Sequence, residues 1–455
     1  MEQNEIKIPK RILSSLLSSL AAGVVPRSGA PYIAIGREEE AGAVLDDLQN
    51  VAEGGSAMRF IIGKYGSGKS FLLQLIRGYA VERGFVTADA DLSPERRFSG
   101  SKGTGRATYC ELMRNLACRS SPDGGALRVI ITKWLSDLQS QTVSDGFEAG
   151  SAEFYKQMDK RLFDVVRSIE SQVGGFDFAL VISRFYRAYI SDDELMMSAC
   201  MRWLRGEFTT KTEAKKIFGV SSIIDDDNWY DYIKLYAVFF RKTGYKGFVV
   251  MIDECVNLYK IPNRVSRENN YEKILTMYND ALQNKSEGLE LILGGTPQFL
   301  EDGRRGLYSY EALKSRLYDS RFADGGFKNL IGPVIRLRRL SDGELYALTV
   351  RLTRLHSQYY NITPRITDEE QQEFLKLCLS RAGADTMITP REIIRDYISL
   401  LNILMQNPEA DASKLINGGA VKLAHGDTDP DELNEPEPTG YNKNDFDFNS
   451  EDIQI

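Results

Sequence analysis

The residues best equipped for chemistry are Gly63-Lys64-Tyr65-Gly66-Ser67-Gly68-Lys69-Ser70, which satisfy the pattern G-x-x-x-x-G-K-[ST] at every fixed position. Glycines let a backbone wrap closely around a phosphate, because a side chain would fill the space. Successive backbone N–H groups and a helix N-terminus then face the negative charge. In such a P-loop Lys69 reaches the β- and γ-phosphates of ATP, and the Ser70 hydroxyl ligates Mg²⁺. The competing reading is a glycine-rich turn with a chance Lys-Ser. The flanks argue against it: Arg59-Phe60-Ile61-Ile62 reads as a short buried strand, and Phe71-Leu72-Leu73-Gln74-Leu75-Ile76 as the start of a helix. The expected nucleotide-binding set therefore runs from Gly63 to Phe71.

Gly247-Phe248-Val249-Val250-Met251-Ile252-Asp253-Glu254 supplies two carboxylates at the end of an apolar run, the Walker B pattern. A strand of a parallel sheet is apolar on both faces because both are covered. Asp253 is expected in the Mg²⁺ shell, and Glu254 is expected to polarise the attacking water. Two adjacent carboxylates also cap helices, but the P-loop upstream favours the metal reading. Leu289 to Pro297 reads as a further strand ending in Thr296, the sensor 1 position beside a γ-phosphate. Ser315-Arg316 and Ser320-Arg321 precede a final strand, Pro333 to Leu337. One of Arg316 and Arg321 is expected to reach a neighbouring subunit's nucleotide as an arginine finger; a surface salt bridge is the alternative for each taken singly. In Thr389-Pro390-Arg391, Pro390 suits the first turn of a helix. That places Arg391 on a helical lid facing the γ-phosphate, the sensor 2 role.

Other elements must position these groups. Ile12, Leu13, Leu16, Leu17 and Leu20 recur at helical spacing and are broken by serines, so an amphipathic helix fits better than a signal peptide. Residues 1–31 read as that helix and a linker. Pro31-Tyr32-Ile33-Ala34-Ile35-Gly36 reads as a strand-like run before a charged helix. Here Ile35 and Gly36 either hold an adenine or begin an ordinary packed helix. Gly84 to Ala90 reads as the second strand. Residues 93–106 form a Gly- and Ser-rich loop with four basic residues. It either touches a nucleic-acid backbone or a neighbouring subunit, or is a solvated surface loop. Residues 107–243 carry helical stripes, such as Ile130, Ile131, Trp134, Leu135 and Leu138, and Leu162, Val165, Val166 and Ile169. They separate the P-loop from the Walker B strand by far more than one β–α unit, as a large helical insertion would. The core then spans 32–340, with a helical lid over 341–407.

Composition narrows the function classes. The 455 residues are 42% hydrophobic and 27% charged, ordinary for a globular protein, and no apolar run is long enough for a membrane span. Five scattered cysteines without a C-x-x-C pair point to a reduced, cytoplasmic protein. The net charge of −7 is misleading as a whole-chain figure. From Pro408 onward 12 acidic residues face three lysines, which leaves the rest near +2. Nucleic-acid binding is therefore compatible with the charge, and 408–455 reads as a disordered acidic tail.

The ordered set of motifs resembles an AAA+ ATPase, in the style of initiators and helicase loaders. Gly36-Arg37-Glu38-Glu39-Glu40, Gly63 to Ser70, Asp253-Glu254, Gly294-Gly295-Thr296, Tyr310 to Leu317, Gly332 to Leu337 and Pro390 to Arg395 look like the BREX-type phage-defence ATP-binding family, BrxD-like in particular. The resemblance covers about residues 12–407. It implies an α/β fold with a parallel P-loop sheet, ATP and Mg²⁺ as ligands, homo-oligomerisation, and action on duplex DNA or on a partner helicase or other defence protein. The acidic tail lies outside the pattern. Two outputs follow from the same residues: a hydrolysing motor, or a slow nucleotide-gated switch that recruits a partner. A small-molecule kinase also uses a P-loop, but the Ser-Arg pairs and the Pro-Arg lid argue against it.

Overall fold

In the computed structural model the described residues are 8–170, 173–318, 329–381 and 389–418. They form two compact units, one within 1–41, 63–78 and 336–455, the other within 42–62 and 79–335.

The second unit holds a five-stranded sheet. Its strands are β1 (Ala57–Ile62), β2 (Val86–Asp91), β3 (Phe248–Asp253), β4 (Leu289–Gly295) and β5 (Val334–Arg336), in the order β2-β3-β4-β1-β5. β1 pairs with β4, β4 with β3, and β3 with β2, all parallel. Every residue of β3 and β4 is buried, as expected of strands covered on both faces. The register sets Asp91 beside Asp253 and Ile62 beside Gly295, so the C-terminal strand ends lie level. In open α/β sheets that edge is where ligands bind.

Between β2 and β3 the chain forms helices from Thr104–Arg114 to Trp229–Lys242. Their apolar stripes join the sheet in one core. Ile130, Ile131, Trp134 and Leu135 are buried in the same cluster as Phe60, Val86 and Phe248. Edge-to-face contacts bind it: Phe178 with Tyr236 at 5.2 Å and Trp134 with Phe239 at 5.4 Å. Such pairs add about 0.5–1.5 kcal/mol beyond area burial.

The first unit is helical. Leu13, Leu16, Leu17 and Leu20 of helix Lys10–Ala21 are buried with Leu345, Leu348 and Leu352 of helix Asp342–Tyr360 and with Tyr397 and Leu401 of helix Pro390–Gln406. The chain's first helix thus completes the core of its last ones. Two expectations differ from the structure. The strand-like run at 32–35 is a 3₁₀ turn, Ala30–Ile33, because Gly29 sits at φ +83° and Pro31 occupies its first turn; within that turn Ala30 and Ile33 are buried. Structure also continues past 407. Arg365 donates to the carbonyls of Leu404, Asn407, Pro408 and Ala410. Asp411 then caps helix Ala412–Asn417, whose Ala412 and Ile416 are buried. Composition hides this helix because its few apolar residues matter by spacing.

Candidate nucleotide-binding site

The P-loop leaves β1 at Gly63 and enters helix Lys69–Glu82. Gly66 and Gly68 have φ of +74° and +88°, values that tolerate little besides glycine. Space is as restrictive as angle. A Cβ on Gly63 would run into Ser67 Oγ, and one on Gly66 would come within 2.7 Å of Thr389 Cγ2. The Lys69 ammonium folds back on its own loop, donating to Gly63 O at 2.8 Å and Lys64 O at 3.1 Å. Ser67 N donates to Lys64 O at 3.1 Å. Tyr65 is exposed, whereas Ser67 is buried and its hydroxyl has no hydrogen-bond partner. Ser70 lies on the first turn of the helix.

Arg37 holds this loop from behind. It is only 2% exposed, and its guanidinium donates to Gly36 O at 3.0 Å, Ser67 O at 2.8 Å and Arg338 O at 2.8 Å. Burial lowers its pKa, while Glu40 and Glu344 pull it back up. Arg338 in turn makes a two-pronged pair with Glu344, at 2.6 and 2.5 Å. Glu344 also closes the capping box of helix Asp342–Tyr360 with Ser341. Burial raises the Glu344 pKa, but the Arg338 bond and the Ser341 N–H outweigh it and hold it low. Gly36 packs directly over this carboxylate: a Cβ there would strike it. Ile35 and Phe71 are half-buried against the helical core. The segment 35–37 thus meets the P-loop through Arg37, a residue outside the expected ligand set. No local pattern marks it, since two of its three partners are backbone carbonyls distant in sequence.

Thr389 caps helix Pro390–Gln406 in a second capping box, with Glu392 Oε2 accepting the Thr389 N–H at 2.7 Å. Since Thr389 abuts Gly66, the start of that helix stands over the P-loop, and Arg391 is exposed on its first turn. The structure therefore brings Gly36 and Thr389 to the P-loop, while the Arg391 side chain runs past Gly23.

In the other unit the carboxylates sit at strand ends. Asp253 is 6% exposed, and its Oδ1 accepts the Glu254 N–H at 2.8 Å. Glu254 is exposed and has φ +56°, a left-handed conformation unusual for a glutamate. A Cβ on Gly294 would run into Asp253 Oδ1, so β4 leaves room for that carboxylate. Thr296 follows β4, and its hydroxyl accepts the Phe299 N–H as the cap of helix Pro297–Glu301. Asp91, unremarked in the sequence, ends β2 next to Asp253. Loss of water around its carboxyl pushes its pKa up, and the charges of Asp253 and Asp89 push it further. Burial also raises the Cys255 thiol well above its usual value, with Asp253 and Glu254 adding to the rise.

Arg316 lies on helix Glu311–Leu317 and donates to Asn279 Oδ1 at 3.1 Å and Ala312 O at 2.7 Å. Arg321 lies outside the described residues. The donors expected for Mg²⁺, the Ser70 hydroxyl and the Asp253 carboxylate, are hard oxygens. A nucleotide-bound Mg²⁺ takes one or two such groups beside phosphates and water, so the donor chemistry fits.

A family model described as BREX system ATP-binding protein BrxC/D matches residues 8–419. None of the curated proteins matches the chain. No described helix is long and apolar enough to cross a membrane.

Proposed function

The chain belongs to the BrxC/D family of BREX system ATP-binding proteins, and from that premise we propose that it is an AAA+ ATPase of phage defence. It binds ATP–Mg²⁺ between subunits of a homo-oligomer, hydrolyses it, and uses the change to act on duplex DNA or to load or regulate a partner helicase. The observation that carries this reading is the intact P-loop following β1 of a parallel sheet, together with Asp253 and Glu254 at the end of β3 in the same sheet.

The roles follow from chemistry. The P-loop N–H groups and Lys69 bind phosphate, and Lys69 exchanges its bonds to the Gly63 and Lys64 carbonyls for phosphate oxygens. Ser70 and Asp253 hold Mg²⁺, which neutralises charge on the phosphates. Glu254 orients and polarises the water. Thr296 and Arg391 respond to the γ-phosphate. Arg316 or Arg321 completes a neighbour's site.

The test is ATP hydrolysis by the purified chain across a range of protein concentration, with and without duplex DNA. A specific rate that rises with both supports a DNA-acting oligomer with shared sites. Bound ATP with negligible turnover in every condition replaces the motor with a switch. No ATP binding ends the reading.

A further inference from the structure

We infer that Arg37 is a positioning residue for the phosphate-binding loop, fixing the Ser67–Gly68 peptide through the Ser67 carbonyl. The inference rests on the nucleotide-binding reading of the P-loop. A buried guanidinium is costly unless its donors are used. Arg37 spends its short bonds on three backbone carbonyls, while the nearest Glu40 oxygen is 3.9 Å away. A single Nη2 serves both Ser67 O in the loop and Arg338 O in the chain after β5. In a trans peptide the C=O and the following N–H point in opposite directions. Holding Ser67 O on Arg37 therefore turns the Gly68 N–H to the other side of the loop, away from the guanidinium. Gly68, at φ +88°, permits that orientation.

The neighbouring residues make sense on the same account. Gly36 needs φ +68° and the space over Glu344, which sets the start of the Arg37 side chain. Arg338 is anchored by Glu344, so the second carbonyl is itself held still. Lysine is a poor substitute, because a compact ammonium lacks the planar fork that spans separate acceptors. Arg37 touches no reacting atom on this account; it acts through the loop.

Arg365 offers a matched comparison. It too grips carbonyls, those of 404, 407, 408 and 410, in the same unit. A fluorescent ATP analogue would be titrated into wild type, Arg37→Lys and Arg365→Lys, each well below its melting temperature. Arg37→Lys is expected to bind about tenfold or more weakly, as loss of a charge-assisted bond would give. Arg365→Lys is expected to lose thermal stability and keep its affinity. Ethylguanidinium should restore binding to Arg37→Ala, and ethylammonium should not. Unchanged affinity in Arg37→Lys overturns the inference, as does an equal loss in Arg365→Lys. If wild type binds no nucleotide, the functional reading fails on its own. The loop is then read by hydrogen exchange over residues 63–70, which must be faster in Arg37→Lys than in wild type; equal exchange overturns the inference.

Discussion

Around the P-loop, the groups suited to a nucleotide are mostly backbone N–H groups; at the ends of β3 and β4 they are side chains. The first region has to be held in shape by others. Arg37 takes the Ser67 carbonyl, Thr389 closes against Gly66, and two capping boxes fix the helices beside it. The second region is already held by its sheet, whose strand ends are level and whose strands β3 and β4 are buried throughout. Its strain is concentrated in one residue, Glu254 at φ +56°. Damage should differ accordingly. In the loop, small steric changes should cost affinity. At the strand ends, changes of side-chain chemistry should cost turnover and leave affinity alone.

The largest expected effect tests that division directly. Glu254→Gln keeps size and conformation and removes the charge that would polarise water. Hydrolysis should fall at least about 100-fold, in line with loss of a key catalytic group, while ATP affinity stays within about threefold. Hydrolysis close to wild type would show that the exposed carboxylate has no catalytic role. Next comes Gly66→Ala. A Cβ there meets Thr389 and forces an alanine to φ +74°. Affinity for ATP should drop about tenfold, the equivalent of the 1–2 kcal/mol left-handed penalty. An unaffected affinity would mean that the loop adjusts without cost, against the picture of a braced cradle.

The two regions also differed in how openly the sequence displayed them. β3 is a continuous apolar run up to Asp253, and β1 and β4 are apolar runs broken once each, by Arg59 and Glu290, so all three are legible as buried strands. The P-loop was visible for the same reason: its constraint is local. Arg37 was not, because its partners Ser67 and Arg338 lie far along the chain and are carbonyls, which every residue possesses. Asp91 carries no local signal, because its place beside Asp253 is a matter of sheet register. Helix Ala412–Asn417 was lost in an acidic tail, since Ala412 and Ile416 become a pattern only against the core they enter. Long-range partners, backbone acceptors and register are the parts of this fold that residue types leave unstated.

A comparable effect, on stability alone, lies within the sheet. Glu290 in β4 is fully buried, and neither carboxylate oxygen has a hydrogen-bond partner. Burial raises its pKa well above 4.5, Asp47 adds to the rise, and Arg59 opposes it. The folded chain therefore keeps this proton after the unfolded chain has released it. Stability falls as pH climbs from the unfolded value near 4.5 toward the folded one. Glu290→Gln removes that slope, so its advantage over wild type should be slight at pH 4.5 and about 1–3 kcal/mol at pH 8. Urea unfolding at both pH values measures it. An offset independent of pH would mean that the buried carboxyl is not held protonated, and the sheet would be less dry than its packing indicates.

The smallest effect bears on why the strand-end region carries strain at all. Glutamate at φ +56° costs about 1–2 kcal/mol relative to its preferred conformations, and glycine would sit there without steric penalty but with a larger entropy loss on folding. Glu254→Gly should therefore exceed Glu254→Gln in stability by about 0.5–1 kcal/mol. Thermal melts of the two variants compare the strain alone, since both lack the carboxylate. The charge is a separate quantity, given by the difference between Glu254→Gln and wild type. If glycine proves the more stable and both variants fail to hydrolyse ATP, the strained conformation is maintained for the carboxylate's position and the fold gains nothing from it. If glycine gives no advantage, the surrounding bonds, among them Asp253 Oδ1 to the Glu254 N–H and Asn257 Nδ2 to the Glu254 carbonyl, offset the strain. The strand-end region would then be braced through its backbone, as the P-loop is, and the contrast between the two regions would narrow to the identity of their reacting groups.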